Sequence, residues 1–136
     1  MTVAEQPASR PSTKAVWIGR ILSGIAALFL LFDAIIHIMR PVPAAAGIAQ
    51  LVYPLSTSAP LGTVELLLIA LYAMPRTAVL GAVLLTGYLG GAIAAQTRAS
   101  APLVGSVVFP LYIALFLWGG LYLREPRLRQ LLPFRV

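Results

Sequence analysis

"VWIGRILSGIAALFLLFDAIIHIM", residues 16–39, is apolar at nearly every position and decides the fold class. Its 24 residues make a helix about 36 Å long, enough to cross a hydrocarbon core of about 30 Å. The apolar core of a secretory signal runs only about 7–15 residues, so the stretch reads as a retained span, despite the small residues Ala44–Ala46 beyond it. Within it, Asp33 and His37 stand four residues apart, one helical turn, and Arg40 follows on the same face. A carboxylate and an imidazole in such a segment call for an explanation.

The rest of the composition agrees with a membrane setting. Of 136 residues, 60% are hydrophobic and 10% charged, with a mean hydropathy of +0.91. A soluble domain carries about 25% charged residues, so this chain lacks the polar groups to cover a water-facing surface. The net charge of +6 comes from basic residues that flank apolar blocks and form no continuous stripe. The expected partner is therefore the lipid bilayer, and no nucleic acid is expected. Without cysteine, disulfides, thiol relays and iron–sulfur ligation are excluded.

Three regions follow. Residues 1–15 read as a disordered cytoplasmic segment, 16–123 as the membrane domain, and 124–136 as a basic cytoplasmic tail. Spans are expected at about 16–39, 60–76, 78–96 and 103–123. Only Pro75-Arg76-Thr77 separates the second from the third, which makes these two antiparallel neighbours. In the long connection 41–59, the apolar centre "AAAGIAQLVY" (44–53) suits a short helix on the membrane surface. No internal repeat is evident. With four spans and the N-terminus inside, Arg10, Lys14, Arg20, Arg76, Arg124, Arg127, Arg129 and Arg135 share the cytoplasmic side, against Arg40 and Arg98 outside. Trp17, Tyr72, Trp118 and Tyr122 fall at the same inner boundary, as an aromatic belt would. The expected architecture is all-α, a four-transmembrane-helix bundle with both termini cytoplasmic, in the inner membrane of a bacterial cell.

Gly87, Gly91 and Ala95 recur at spacings of four in the third span. Small residues so spaced predict close packing against a neighbouring helix, with a homodimer seam as the alternative. Pro110 predicts a kink in the fourth span.

Arg40 marks the outer end of the first span, which puts His37 and Asp33 in the outer leaflet half. Glu65 lies about 7 Å below Pro60 at the same side, and Gln96, Thr97 and Arg98 end the third span there. An unpaired charge near the bilayer centre costs about 2.5–3.5 kcal/mol even on insertion scales, so these groups should turn inward and meet. Asp33, His37, Glu65, Gln96 and Arg98 are the candidates for ligand binding or proton handling, with Arg98 as the counter-ion of Glu65. Tyr88 and Tyr112 are further hydroxyls within reach of such a pocket. With one histidine and only Met39 near it as a soft partner, neither haem ligation nor a metal site is expected. No nucleophile–base–orienter triad, Walker loop or dinucleotide fingerprint is present, so no enzyme activity of the chain on its own is expected.

Glu65 followed by "LYAMPRTAVLGAVLLTGYLGGAIAAQTR" (71–98), with the closing "WGGLYLREPRLRQLLP" (118–133), resembles the DoxX-like family of small four-span bacterial membrane proteins. The resemblance runs from about Trp17 to Pro133. It rests on the proline-arginine-threonine turn, the glycine-rich helix ending in arginine, and Phe32, Asp33 and His37 in the first span. The loop "LVYPLSTSAPLG" (51–62) departs from the shorter glycine-tyrosine-proline turn of the family. Related DoxX and DoxD proteins are associated with thiosulfate–quinone oxidoreductase and membrane redox complexes. The resemblance thus implies a quinone as the one cofactor to expect and a membrane redox subunit as partner.

Three functions compete: a binding or accessory subunit that holds a quinone-like or lipid molecule; a quinone-linked oxidoreductase component in which Asp33, His37 or Glu65 handles protons; and a proton-coupled small transporter. The third rests on a likeness to the small multidrug-resistance exporters, whose first-helix acid would here be Asp33. The charge-derived topology is directly testable. A cysteine at Ser56 or Ser100 should react with an impermeant thiol reagent outside intact cells, and one at Ser12 only after lysis. The reverse pattern overturns it.

Overall fold

A computed structural model describes residues 11–41, 43, 46, 49 and 53–131. The chain forms α1 (Thr13–Met39), α2 (Ser58–Ala73), α3 (Ala78–Arg98), α4 (Phe109–Arg124) and the short α5 (Pro126–Leu131), with no strand among the described residues. A 3-10 turn, Leu55–Thr57, leads into α2, and a π-helical turn, Leu103–Val107, leads into α4. Four segments are long and apolar enough to cross a membrane: Thr13–Met39, Leu55–Ala73, Ala78–Arg98 and Leu103–Arg124. The chain is a multi-pass membrane protein.

Local chemistry sets the boundaries. Ser12 caps α1 by accepting from the Ala15 N–H at 3.2 Å, so the helix begins inside the stretch expected to be disordered; residues 1–10 lie outside the described ones. At the other end Arg40 adopts a left-handed conformation (φ 49°, ψ 54°) and donates its N–H to the Ile36 carbonyl, which stops the helix. Helix α2 starts two residues before Pro60, which it tolerates in its first turn, and ends because Pro75 pushes Met74 into an extended conformation. The surface helix expected within 44–53 lies largely outside the described residues; Ala46 and Ala49 there are helical and exposed.

Pro110 produces a break where a kink was expected. Its ring would collide with the Ser106 carbonyl in a continuous helix and it has no N–H to donate. The chain instead makes i→i−5 bonds, Val107 N–H to Pro102 and Val108 N–H to Leu103. It then starts α4 afresh, with Pro110 in the first turn, where a missing N–H costs nothing.

Helix α1 packs against α2 and α4, and α3 packs against the same two, so the four form a ring in chain order. Each neighbouring pair is antiparallel: Ser23 meets Tyr72 and His37 meets Ser58 across α1 and α2, while Glu65 meets Tyr88 across α2 and α3. The buried stripe of α1 is Gly19, Ser23, Ala26, Leu30 and Ala34, mostly small residues, while Ile21, Ile25, Leu28 and Phe32 point outward. That pattern suits lipid, which solvates large apolar side chains as well as the core does and leaves close backbone approach as the attractive term.

Which glycines make that approach differs from the expectation. A Cβ at Gly120 would strike Ser23 and the Gly19 carbonyl, and one at Gly81 would strike the Tyr72 backbone. A Cβ at Gly62 would lie 2.6 Å from the Ala34 carbonyl oxygen. At Gly87 and Gly91 a Cβ would meet nothing within 4 Å. Gly87 and Gly91 therefore pack against no neighbour within the bundle. They line open space, and the seams are sealed by glycines outside the repeat.

The tight end is locked by Tyr72, 1% exposed. Its hydroxyl lies 2.8 Å from both Ser23 Oγ and the Leu117 carbonyl oxygen, tying α1, α2 and α4. Arg124 lies over the Tyr72 ring and donates to its carbonyl, and Arg129 of α5 donates to the Tyr122 and Leu123 carbonyls that end α4.

Two stability measurements in detergent test this packing. Gly81→Ala and Gly120→Ala should each cost about 1–3 kcal/mol through overpacking, whereas Gly91→Ala should be neutral or stabilise by about 0.4–1 kcal/mol. Equal losses at all three sites would contradict the assignment. Tyr72→Phe and Ser23→Ala should each lower the melting temperature and combine non-additively, with a coupling of about 0.6–1.7 kcal/mol.

Candidate functional site

Between the π turn and the α1–α2 connection, the four helices line a partly open, mostly apolar cavity of about 490 Å³. All four spans wall it. Phe29 and Phe109 line it, their rings edge to face at 5.0 Å. Helix α3 contributes Gly87, Gly91, Ala92 and Ala95, and it is the absence of side chains along this face that makes the room.

Four of the cavity's polar groups, Asp33, His37, Glu65 and Tyr88, gather together. Gly62 lets α2 press against α1 at Ala34 and His37, and the Ser58 hydroxyl donates to the His37 carbonyl at 2.6 Å. This contact brings Glu65, two turns further along α2, beside Asp33 and His37. His37 Nδ1 lies 3.0 Å from the Asp33 carbonyl oxygen and 3.4 Å from Asp33 Oδ2. Glu65 is wholly buried. Its Oε2 accepts from the Tyr88 hydroxyl at 3.1 Å, and its Oε1 is buried without a hydrogen-bond partner. One ligand-capable atom from each of Asp33, His37 and Glu65 lies within 4.8 Å of the others.

Of the residues expected to meet, Asp33, His37, Glu65 and Tyr88 do, and Gln96 lines the cavity. Arg98 does not. It is exposed at the last residue of α3, and among the described residues the one ion pair is Asp33–His37. A guanidinium on a flexible stem at a helix end reaches interfacial water more cheaply than a buried carboxyl. Arg40 likewise turns away, donating to the Leu55 carbonyl at 3.3 Å. Tyr112 is half exposed and lies outside the cavity. The negative groups thus lack the cation that the sequence analysis assigned to them.

Ser58, Tyr53 and Ser106 line the cavity without having been singled out from the sequence. For Ser58 a signal existed: it precedes Glu65 by seven residues, two helical turns, and so shares its face. Ser106 carried none, because the π turn that presents it follows from the break at Pro110.

The aromatic, glycine and acidic positions that build this wall all fall inside one contiguous match. Residues 21–120 match the model of the DoxX-like family. No curated protein and no solved structure matches the chain. The match spans α1 from its third turn through most of α4, including every ionisable residue of the cavity, and the chain belongs to the DoxX-like family.

Proposed function

We propose that the protein is a membrane binding or accessory subunit that holds a quinone-like molecule in the cavity between its four helices. The observation that carries this reading is an apolar chamber of about 490 Å³ in which Asp33, His37 and Glu65 converge. Such a site takes a molecule with an apolar body and a compact polar head, and its volume falls in the usual range of about 300–1,000 Å³ for small-molecule pockets. Asp33 and His37, the partly exposed polar side chains of the cluster, meet the head group, and Phe29 and Phe109 give the ring an aromatic wall. The association of related DoxX and DoxD proteins with membrane redox complexes supports a quinone over a bulk lipid and a redox subunit as the physiological partner. In this reading the basic, aromatic-rich end carrying Lys14, Arg76 and Arg124 faces the cytoplasm of a bacterial cell, and the cavity lies in the outer half of the inner membrane.

The test is retention of small molecules by the full chain purified in native lipid discs, identified by mass spectrometry, followed by equilibrium binding of a radiolabelled short-chain quinone. Gly91→Leu should fill the cavity and weaken quinone binding by more than about tenfold, a loss of about 1.4 kcal/mol, while leaving the melting temperature unchanged. Unaltered binding in this variant would place the ligand elsewhere and end the proposal.

A further inference from the structure

We infer that Asp33, His37 and Glu65 form a binding site for one divalent transition-metal cation of the zinc class at the polar wall of the cavity. The inference stands on these three side chains and does not require a quinone.

Three observations converge on it. The ligand-capable atoms of the three residues lie within 4.8 Å of one another. Around a tetrahedral ion with bonds of about 2.0–2.2 Å, ligand atoms sit about 3.4 Å apart. A movement of about an ångström in the partly exposed Asp33 and His37 side chains closes the difference. Second, Glu65 Oε1 is fully buried at the cavity wall with no donor in reach, although Oε2 of the same carboxyl is held by Tyr88. Buried polar atoms are almost always satisfied, so an orphan carboxyl oxygen on a residue of the cavity wall marks the place of a missing positive partner. Third, the charges balance. Two carboxylates and a neutral imidazole carry a charge of −2, which a divalent ion cancels, and neither Arg40 nor Arg98 reaches them.

The outer contacts are those that metal ligands use. In the tautomer that donates from Nδ1 to the Asp33 carbonyl, the His37 ring is oriented and Nε2 keeps its lone pair. Tyr88 holds the second oxygen of Glu65 in the same manner. Three protein ligands leave a fourth position open to the cavity, the pattern of zinc sites that bind an exchangeable oxygen ligand. One nitrogen and two oxygens favour zinc, manganese or iron over calcium and magnesium, which seek six or more oxygens or retained waters.

The experiment is a calorimetric titration of Zn2+ into the full chain, purified in detergent, treated with chelator and dialysed, with no quinone added. The expected result is about one Zn2+ per chain, with binding weakened more than about tenfold in each of Asp33→Asn, His37→Gln and Glu65→Gln. Binding should be unchanged in Arg98→Gln. Should Glu65→Gln fail to fold, Asp33→Asn at the exposed rim carries the comparison, read also as loss of the rise in melting temperature that Zn2+ gives the unsubstituted chain. Absence of Zn2+ binding to the unsubstituted chain, or binding that Asp33→Asn leaves intact, overturns the site. Quinone binding measured on the same chelated protein separates the two proposals: chelated protein that holds quinone and fails to take Zn2+ refutes only the metal site, and the converse refutes only the quinone.

Discussion

Backbone contact between α1 and α4 at Gly19 and Gly120 is the constraint on which the rest of the bundle depends. In lipid, burying a leucine against another helix gains little over leaving it among acyl chains, so helices associate where their backbones can touch. Gly19, Ser23 and Gly120 permit that contact at one end only. The Tyr72 hydroxyl then fixes α2 to both helices by two bonds of 2.8 Å, and Gly81 draws α3 onto the Tyr72 backbone through the tight Pro75–Thr77 turn. Closure at this end is complete before the far half of the bundle contributes.

The far half is held differently. There α1 and α2 stay in contact through Gly62 and the Ser58–His37 bond, but α4 begins only at Phe109, and its place is taken by a wider π turn. Helix α3 presents Gly87 and Gly91 to this region, where no neighbour approaches. A bundle pinched at one end and interrupted at the other has to enclose space, and the cavity is that space. Scaffold and site occupy opposite ends of the same four helices, which is why a substitution at Gly120 and one at Gly91 should act on different properties.

Much of this was legible in the sequence. Four apolar runs with proline and arginine at their edges fixed the number of spans, because lipid thickness sets a length that few other constraints demand. The one-turn spacing of Asp33 and His37, and the depth of Glu65 from its own helix start, were enough to bring the three together, since charges in a span must turn inward. Two inferences failed for reasons of the same kind. The Gly87–Gly91–Ala95 repeat encodes a smooth helix face, and a smooth face can receive a backbone or leave a void; periodicity does not distinguish them. Arg98 has the charge to pair with Glu65, but a terminal arginine can reach the interface, and its stem length makes that the cheaper solution. The break at Pro110 was half visible: the proline was a plain disruption, yet whether a helix kinks or restarts depends on the tertiary space beyond Ser106.

Glu65 then sharpens the question of what the far half is for. A carboxyl kept solely as interhelical glue would have both oxygens engaged, because leaving one buried acceptor unpaired costs about 1–3 kcal/mol and more when the group is charged. Tyr88 satisfies Oε2 across the α2–α3 seam, and that bond alone would serve the packing. Glutamine at this position could offer the same acceptor without carrying a charge into the membrane. Oε1, wholly buried and unmatched at a cavity that also exposes part of Asp33 and His37, is surplus to the scaffold. In the reading proposed above, the cost of retaining an ionisable group there is offset by an occupant of the cavity, whose chemistry is set by two acids and one imidazole.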